Sequence, residues 1–277
     1  MEYDFFQRLP QELTIYFPKV QGFGEQAEYS HYLIQKIPSQ DASFLFLDPN
    51  GQDPTILQAL KKIHNFLSLS PKKEVTSETY HNTFIREFCF KNIERLKLIK
   101  ELPQSRSLDL ICQNFGYKNL DEFVNQINAA IEKALKAEPN HILYFSHGDL
   151  CFSNMIIKND QLYLIDPKGA AGPDDNYRTI HYDLAKISQC LFGYYDLINH
   201  ELFEIESNNK IIFNKTPQTP DSQIYFSELV QSFGTKLRTI RMIEASFFYS
   251  LLPFHQESEK KLFGFLINAL TIFRGLK

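Results

Sequence analysis

The chain has 277 residues, is 43% hydrophobic and carries a formal net charge of −4, with a pI near 6.1. This length and apolar content are sufficient for a sizeable buried core, in one large domain or two smaller ones. The acidic balance argues against a nucleic-acid partner, because such binding usually appears as a basic domain or stripe.

The sequence indicates neither a membrane segment nor the cysteine pairs of an oxidising compartment. Residues 1–13 lack the basic and apolar regions of a signal peptide, and no later run approaches the roughly 20 apolar residues of a membrane span. Cys89, Cys112, Cys151 and Cys190 are widely spaced and include no Cys-x-x-Cys pair, which argues against zinc and redox sites. We expect a cytoplasmic protein with free, mostly buried thiols.

Residues 1–50 are typical of a small unit of helix and strands. Apolar residues between positions 3 and 13 have near-helical spacing, which ends before Pro18. The runs YSHYLIQKI (29–37) and ASFLFL (42–47) are strand-like. Gly22-Phe23-Gly24 lacks the third glycine of a phosphate-binding loop and indicates a linker turn.

Residues 51–277 predict a mostly helical body. Apolar residues recur at spacings of three and four in six runs, at 55–69, 84–102, 120–139, 182–198, 226–254 and 257–273. A hairpin interrupts them at 147–170, and Asn208-Asn209 indicates a second, superficial hairpin turn. The expected fold class is therefore α+β.

The first hairpin, HGDLCFSNMIIKNDQLYLIDPKGA, carries the clearest chemical signal. Four residues separate Asp149 from Asn154, and Asp166 follows at the end of an apolar run. An aspartate can orient a hydroxyl and accept its proton, while an asparagine and a second carboxylate are suitable ligands for Mg²⁺. Each residue alone is explained as well by a turn, but the ordered set favours phosphoryl transfer.

This motif resembles the aminoglycoside phosphotransferase and choline kinase superfamily, whose catalytic loop reads HGD, with an asparagine five positions after the aspartate and a later ID. The sequence YDLAK at 182–186 is similar to the helix start that follows in that family. The resemblance implies a protein-kinase-like fold with two lobes. A reduced nucleotide-side lobe with few strands would occupy residues 1–50, and a helical C-terminal lobe would occupy 51–277.

The resemblance also implies roles for single residues. Asp149 would be the catalytic base, and Asn154 and Asp166 would hold Mg²⁺. Asp183 would hold the catalytic loop by accepting backbone hydrogen bonds, and His147 would brace that loop rather than act in catalysis.

Nucleotide contacts are expected at two further places. Backbone groups of Gln35, Lys36 and Ile37 would meet the adenine of ATP at the hinge between the lobes. Lys168, beside the active edge, would contact a phosphate or an anionic substrate, with a solvated loop charge as the alternative. For Arg178 a solvated loop charge is favoured.

One departure from the family pattern concerns the start of the chain. Family members have strands, a phosphate-covering loop and a strand lysine before the helix that residues 2–20 resemble. In the family this lysine pairs with a glutamate on that helix, and Glu2 would correspond to the glutamate. No strand precedes Glu2 in this sequence to provide the lysine. We expect either a reduced lobe or one that a protein partner completes.

The leading expectation is an ATP- and Mg²⁺-dependent phosphotransferase that acts on a hydroxyl of a small molecule, a sugar or an amino alcohol. The IDPKGA and YDLAK segments resemble kinase-like proteins of bacterial surface-polysaccharide pathways, which favours a sugar. The alternatives are a non-catalytic, kinase-derived binding protein and a subunit that needs another chain to complete its nucleotide lobe.

Overall fold

The computed structural model describes residues 2–25, 30–48, 53–138, 141–169 and 172–276, and their fold is α+β as predicted. The helices are α1 (Glu2–Gln7), α2 (Ala42–Leu47), α3 (Asp53–Leu69), α4 (Ser77–Ile85), α5 (Lys91–Lys100), α6 (Ser105–Asn114), α7 (Leu120–Leu135), α8 (Ile180–Leu191), α9 (Tyr195–Asn199), α10 (Pro220–Ser232), α11 (Leu237–Ser250) and α12 (Glu259–Gly275). A π-helical turn, Arg86–Phe90, joins α4 to α5.

The strands are short and form four small sheets within the described ranges. They are β1 (Val20–Glu25), β2 (Ser30–Ile34), β3 (Lys72–Glu74), β4 (Ile142–Phe145), β5 (Met155–Lys158), β6 (Gln161–Leu164), β7 (Tyr177–Thr179), β8 (Phe203–Ile205) and β9 (Ile211–Phe213). The sheets are β1-β2, β3-β4-β7, β5-β6 and β8-β9, and every pairing is antiparallel. The predicted hairpins correspond to β5-β6 and β8-β9.

Two sequence predictions for the N-terminal region are wrong. The run ASFLFL is helix α2, because the Asp41 side chain accepts hydrogen bonds from the backbone N–H groups of Ser43 and Phe44 and caps a helix. Gly22-Phe23-Gly24 lies within strand β1 rather than in a turn. A Cβ atom on Gly24 would lie 2.5 Å from the His31 ring on β2, so glycine permits close pairing of the two strands there.

The helical body is organised around α11. This helix packs between α8 and α12, and every residue from Met242 to Ser250 is buried. Aromatic side chains fill much of the surrounding space, and Phe248 and Phe265 pack with ring centres 6.0 Å apart. The buried α8 therefore has a fixed position, and it carries Asp183 and Lys186.

The N-terminal segment is fastened to the β5-β6 hairpin and to the end of β4. The Ser39 hydroxyl donates to the Ile157 carbonyl oxygen at 2.6 Å, and Gln161 Nε2 donates to the Ile15 carbonyl oxygen at 2.9 Å. Phe5 packs against Phe145, with 5.2 Å between ring centres. These contacts hold α1 close to the loop that follows β4.

Three further expectations concern the domain boundary, the cysteines and a membrane span. The predicted boundary between residues 50 and 51 lies outside the described residues. All four cysteines are free and buried, as predicted. Among the described helices, none is long and apolar enough to cross a bilayer.

A buried carboxyl group in the helical body leads to a prediction about pH. Asp196 is 2% exposed, its Oδ2 has no hydrogen-bond partner, and burial raises its pKa to about 7. The folded protein therefore keeps a proton that the unfolded chain releases above about pH 4, so this group makes stability fall as pH rises towards 7. Asp196→Asn should match the wild type near pH 4 and be more stable by roughly 1–3 kcal/mol at pH 8.

Urea unfolding at both pH values measures this difference. Asp174→Asn is the matched control, since the Asp174 side chain is 80% exposed. An Asp196→Asn effect that is the same at both pH values would contradict the explanation.

Candidate active site

The loop of residues 146–149 connects β4 to the hairpin and is held by one buried carboxylate. Asp183, in the first turn of α8, accepts hydrogen bonds from the Ser146 hydroxyl at 2.8 Å and from the N–H groups of His147 and Gly148 at 3.2 and 2.8 Å. These donors favour the charged form, but burial dominates and raises the pKa of Asp183 to about 6. The predicted role of Asp183 in holding the loop is confirmed by these bonds.

His147 braces the same loop from inside. Its Nδ1 accepts the N–H of Asp149 at 3.2 Å, so Nε2 carries the proton and donates to the Ile165 carbonyl oxygen at 3.0 Å. The ring stacks on Phe17, and burial lowers the pKa of His147 to about 4. A neutral histidine that uses both nitrogens is structural, as predicted.

Asp149 forms an ion pair with Lys186 of α8. Lys186 Nζ lies 2.9 Å from Asp149 Oδ1, and the Asp149 side chain is 33% exposed. Burial would raise the pKa of Asp149, but the Lys186 ammonium outweighs it and holds the pKa below the usual value. The carboxylate is therefore charged at neutral pH and open on one side.

Asn154 lies directly beside Asp149. Its Nδ2 donates to the Asp149 backbone oxygen at 2.9 Å and approaches the Oδ2 of the same residue at 3.4 Å. Because only the amide nitrogen can donate to a carbonyl oxygen, the orientation of Asn154 is fixed and its Oδ1 is directed elsewhere.

Asp166 follows β6 with φ of 56°, in the left-handed region that few residues other than glycine adopt. The residue as a whole is exposed, but its carboxyl group is partly buried. This partial burial raises the pKa of Asp166, as do a hydrogen bond with Glu2 and the negative charges of Glu2 and Asp149. Strained backbone of this kind is concentrated at functional sites. The fold thus brings Asp149, Asn154 and Asp166 to one region.

These oxygen atoms fit a divalent cation. In the described part of the chain no three His, Cys, Asp or Glu side chains form a cluster suited to a metal. The amide oxygen of Asn154 would add a ligand to the carboxylate oxygens here. The crowding of Glu2, Asp149 and Asp166 leaves negative charge that a cation would relieve, and the oxygens suit Mg²⁺. Glu2 also accepts a hydrogen bond from the Tyr32 hydroxyl at 2.5 Å.

Gly148 allows two cations to approach the loop. It has φ of 78°, and a Cβ atom there would lie 2.7 Å from Lys168 Cβ and 3.2 Å from Arg178 Nε. Lys168 Nζ donates to the Tyr182 hydroxyl oxygen at 3.1 Å. Arg178 lies on β7 with its guanidinium carbon 5.4 Å from the centre of the Tyr182 ring, so the expectation of a solvated loop charge is wrong for this residue.

Sequence reasoning missed the functional placement of Lys91 and Lys186. Lys91 Nζ donates to the Tyr182 hydroxyl oxygen at 3.2 Å from α5, a helix with no recognisable motif. Lys186 belongs to the YDLAK segment, and its position three residues after Asp183 on a helix was the available signal.

Gln35, Lys36 and Ile37 lie on the segment that follows β2. The Gln35 N–H donates to the Lys19 carbonyl oxygen at 2.8 Å, and the Ile37 carbonyl oxygen accepts from the Ser39 N–H at 2.9 Å. These two backbone groups are thus engaged within the N-terminal segment.

Comparison with solved structures identifies the fold. A glucosamine kinase in complex with glucosamine, ADP and inorganic phosphate superimposes with a TM-score of 0.59 at 12% identity, covering 99% of this chain and 68% of that one. Another crystal form of glucosamine kinase gives a TM-score of 0.57 at 12% identity, covering 100% and 69%. An aminoglycoside-3'-phosphotransferase of type VIII has 18% identity and a TM-score of 0.40, covering 95% and 75%.

Neither a family model nor a curated protein matches the sequence. The glucosamine kinase superpositions confirm the predicted kinase-like fold with a reduced N-terminal lobe, as the resemblance to the aminoglycoside phosphotransferase and choline kinase superfamily implied.

The capture of the loop by Asp183 can be tested without an activity assay. Asp183→Asn replaces one acceptor oxygen by an NH₂ group, so at least one loop donor loses its partner, at a cost of about 1–3 kcal/mol. Amide exchange at His147 and Gly148 should accelerate by roughly tenfold or more, because opening of the loop becomes easier. Asp174→Asn serves as control, and unchanged protection at both amides would refute the role of Asp183.

Proposed function

We propose that the protein is a small-molecule kinase that transfers the γ-phosphoryl group of ATP to a hydroxyl group. The observation that carries this proposal is that Asp149, on the loop that Asp183 fixes, lies in one region with Asn154 and with Asp166 at the end of β6. A simple turn would not require the side chains of Asp149, Asn154 and Asp166 to lie together. It would also not require a buried carboxylate, that of Asp183, to hold the backbone of the loop.

Asn154 and Asp166 would hold Mg²⁺, which would neutralise charge on the phosphate groups of the nucleotide. Asp166 contributes a carboxylate whose raised pKa results from burial and from its acidic neighbours, and Asn154 contributes an amide oxygen.

Asp149 is the group suited to the acceptor. Its lowered pKa keeps it ionised, and its exposed side can accept a hydrogen bond from the acceptor hydroxyl. As the acceptor oxygen forms its bond to the γ-phosphorus, the bond from phosphorus to the bridging oxygen of ADP breaks. The hydroxyl proton passes to Asp149, and Lys186 holds that carboxylate in position.

The nucleotide contacts remain proposals from the sequence. Gln35, Lys36 and Ile37 would lie beside the adenine, in a nucleotide-side lobe formed by residues 1–50 above the lobe of residues 51–277. Lys168 would contact a phosphate group or an anionic substrate, and its position against Gly148 supports this role.

A sugar or an amino alcohol as acceptor, a place in surface-polysaccharide metabolism and a cytoplasmic location likewise remain predictions. So does a protein partner that completes the nucleotide lobe.

The metal proposal predicts a change in nucleotide binding. Wild-type protein should bind ATP more tightly with Mg²⁺ than without it, and Asp166→Ala should remove this difference because one oxygen ligand is lost. Calorimetry with and without Mg²⁺ measures the effect, with Asp174→Ala as a matched loss of an exposed carboxylate. Equal affinities for wild type under both conditions would rule out the metal proposal.

The catalytic proposal predicts a loss of rate without a loss of binding. Asp149→Asn keeps the side-chain volume but loses the charge and basicity that act on the acceptor, so phosphate transfer should fall by about 10²–10⁴. Asp160→Asn, at the turn of the hairpin, is the control, since Asp160 has a positive φ that asparagine also tolerates.

Transfer from radiolabelled ATP across a panel of sugars, amino alcohols and aminoglycosides provides the readout. If the wild type transfers phosphate no faster than Asp149→Asn with any acceptor and any candidate partner, the protein is a non-catalytic binding protein.

A further inference from the structure

Five basic side chains converge on the side of Asp149 that faces the helical body. We name this group the cation cluster, and its members are Lys91, Arg95, Lys168, Arg178 and Lys186. Four of them lie over one or both of two buried rings, Tyr182 and Phe247, whereas Arg95 lies over Phe254. Arg95 belongs to the group because its charge, like those of Lys186 and Arg178, lowers the pKa of Lys91.

Two ammonium groups share one phenol oxygen in this cluster. Lys91 Nζ and Lys168 Nζ lie 3.2 and 3.1 Å from the Tyr182 hydroxyl oxygen, and 5.4 and 5.0 Å from the centre of its ring. Their separation is therefore shorter than the screening length of about 8 Å at physiological salt, and they repel each other. Burial and the neighbouring cations lower the pKa of Lys91 to about 7.

The cluster has fewer acidic partners than basic members. Lys186 pairs with Asp149, and Arg178 lies near the buried carboxyl groups of Glu87 and Asp183. Within the described residues, no ion pair involves Lys91 or Lys168.

Arg95 strengthens the imbalance. It lies one helical turn after Lys91 on α5, where like charges destabilise a helix. Its guanidinium carbon lies 4.4 Å from the centre of the Phe254 ring, and its buried Nε has no hydrogen-bond acceptor. A ligand that brings an acceptor atom and a negative charge would satisfy this donor and offset the repulsion between Arg95 and Lys91.

The charges on the two sides of Asp149 are opposite. On one side Glu2 and Asp166 form an acidic pair, and no basic group is among the causes of the Asp166 shift. On the other side, Lys186 pairs with Asp149, and the charge of Lys168 also lowers the pKa of Asp149. The acidic side suits a metal ion and the phosphate groups of the nucleotide that the metal would bind. The cationic side suits a different anion, one that does not belong to the nucleotide.

We propose that the acceptor carries an anionic group, a phosphate or a carboxylate, that binds to Lys91, Arg95 and Lys168 while its hydroxyl meets Asp149. This inference rests on the proposed function and specifies its substrate class. Glucosamine is cationic, and the cation cluster would repel it, so this chain would differ in substrate from the glucosamine kinases whose fold it shares.

Binding without turnover tests the inference first. Nucleotide-free protein in EDTA at pH 6.5, where Lys91 is mostly charged, is titrated calorimetrically with glucose, glucosamine, ribose and glycerol, with the phosphate ester of each, with glucuronate and with inorganic phosphate. The anionic compounds should bind at least about tenfold more tightly than their neutral or amino counterparts. Separate responses to the phosphate esters and to glucuronate identify which anion the site takes.

Variants locate the anion. Lys91→Gln and Lys168→Gln should each reduce the affinity for the preferred anion by about tenfold, whereas Lys91→Arg should retain it. Lys97→Gln removes an exposed charge from the same helix and is the matched control. Lys168 is exposed, so its variant should fold even if Lys91→Gln does not.

Three results would overturn the inference: no preference for anions, tightest binding of the amino sugar, or an unchanged preference in the folded variants. Displacement of the sugar phosphate by saturating Mg²⁺ and ADP would also overturn it, since the anion would then occupy the nucleotide site.

Transfer from radiolabelled ATP to the same compounds separates this inference from the proposed function. Transfer that prefers the amino sugar would refute the anionic acceptor and leave the kinase proposal intact. Anion binding through Lys91 without any transfer by the wild type would refute the kinase proposal and leave the anion site.

Discussion

The candidate active site depends on the buried carboxylate of Asp183. The loop of residues 146–149 leaves β4 with three donors, Ser146 Oγ and the N–H groups of His147 and Gly148, that point into the protein and away from water. A single carboxylate at the start of α8 satisfies all three. Because α8 is packed against α11 in the core, the loop inherits the rigidity of the helical body.

The same helix connects the loop to its charges. One turn after Asp183, Lys186 reaches the side chain of Asp149, and one residue before Asp183 lies Tyr182, the phenol on which Lys91 and Lys168 converge. The start of α8 therefore sets three properties: the position of the loop, the ionisation of Asp149 and the arrangement of the cation cluster. A shift of this helix would alter all three together.

The second aspartate is positioned by different means. Asp166 depends on the register of β5 and β6, on the left-handed backbone at its own position and on the His147 ring, which binds the preceding carbonyl oxygen of Ile165. The N-terminal helix then brings Glu2 beside it. Asp149 consequently lies between an acidic region and a basic one, a separation of charge suited to placing a metal-bound phosphate and an anionic acceptor on opposite sides.

The α+β class, the long helices and both hairpins could be predicted from local information, namely apolar periodicity and turn residues. The sequence also carries a motif whose resemblance to a kinase superfamily implied the loop roles of Asp183 and His147. It did not determine α2, where the Asp41 cap and burial of Phe46 override strand propensity, or β1, where pairing with β2 uses glycines that also suit a turn.

The distribution of charge around Asp149 could not be predicted from the sequence, because it depends on tertiary packing. Lys91 and Arg95 lie more than 50 positions before Asp149, on a helix whose basic residues are typical of any solvated surface. Lys91 meets Lys168 at Tyr182 because α5 packs against the core and α8 begins beneath the loop. Arg95 follows one helical turn after Lys91. A charge acquires functional meaning from its neighbours and from the water it loses, and both are properties of the packed molecule.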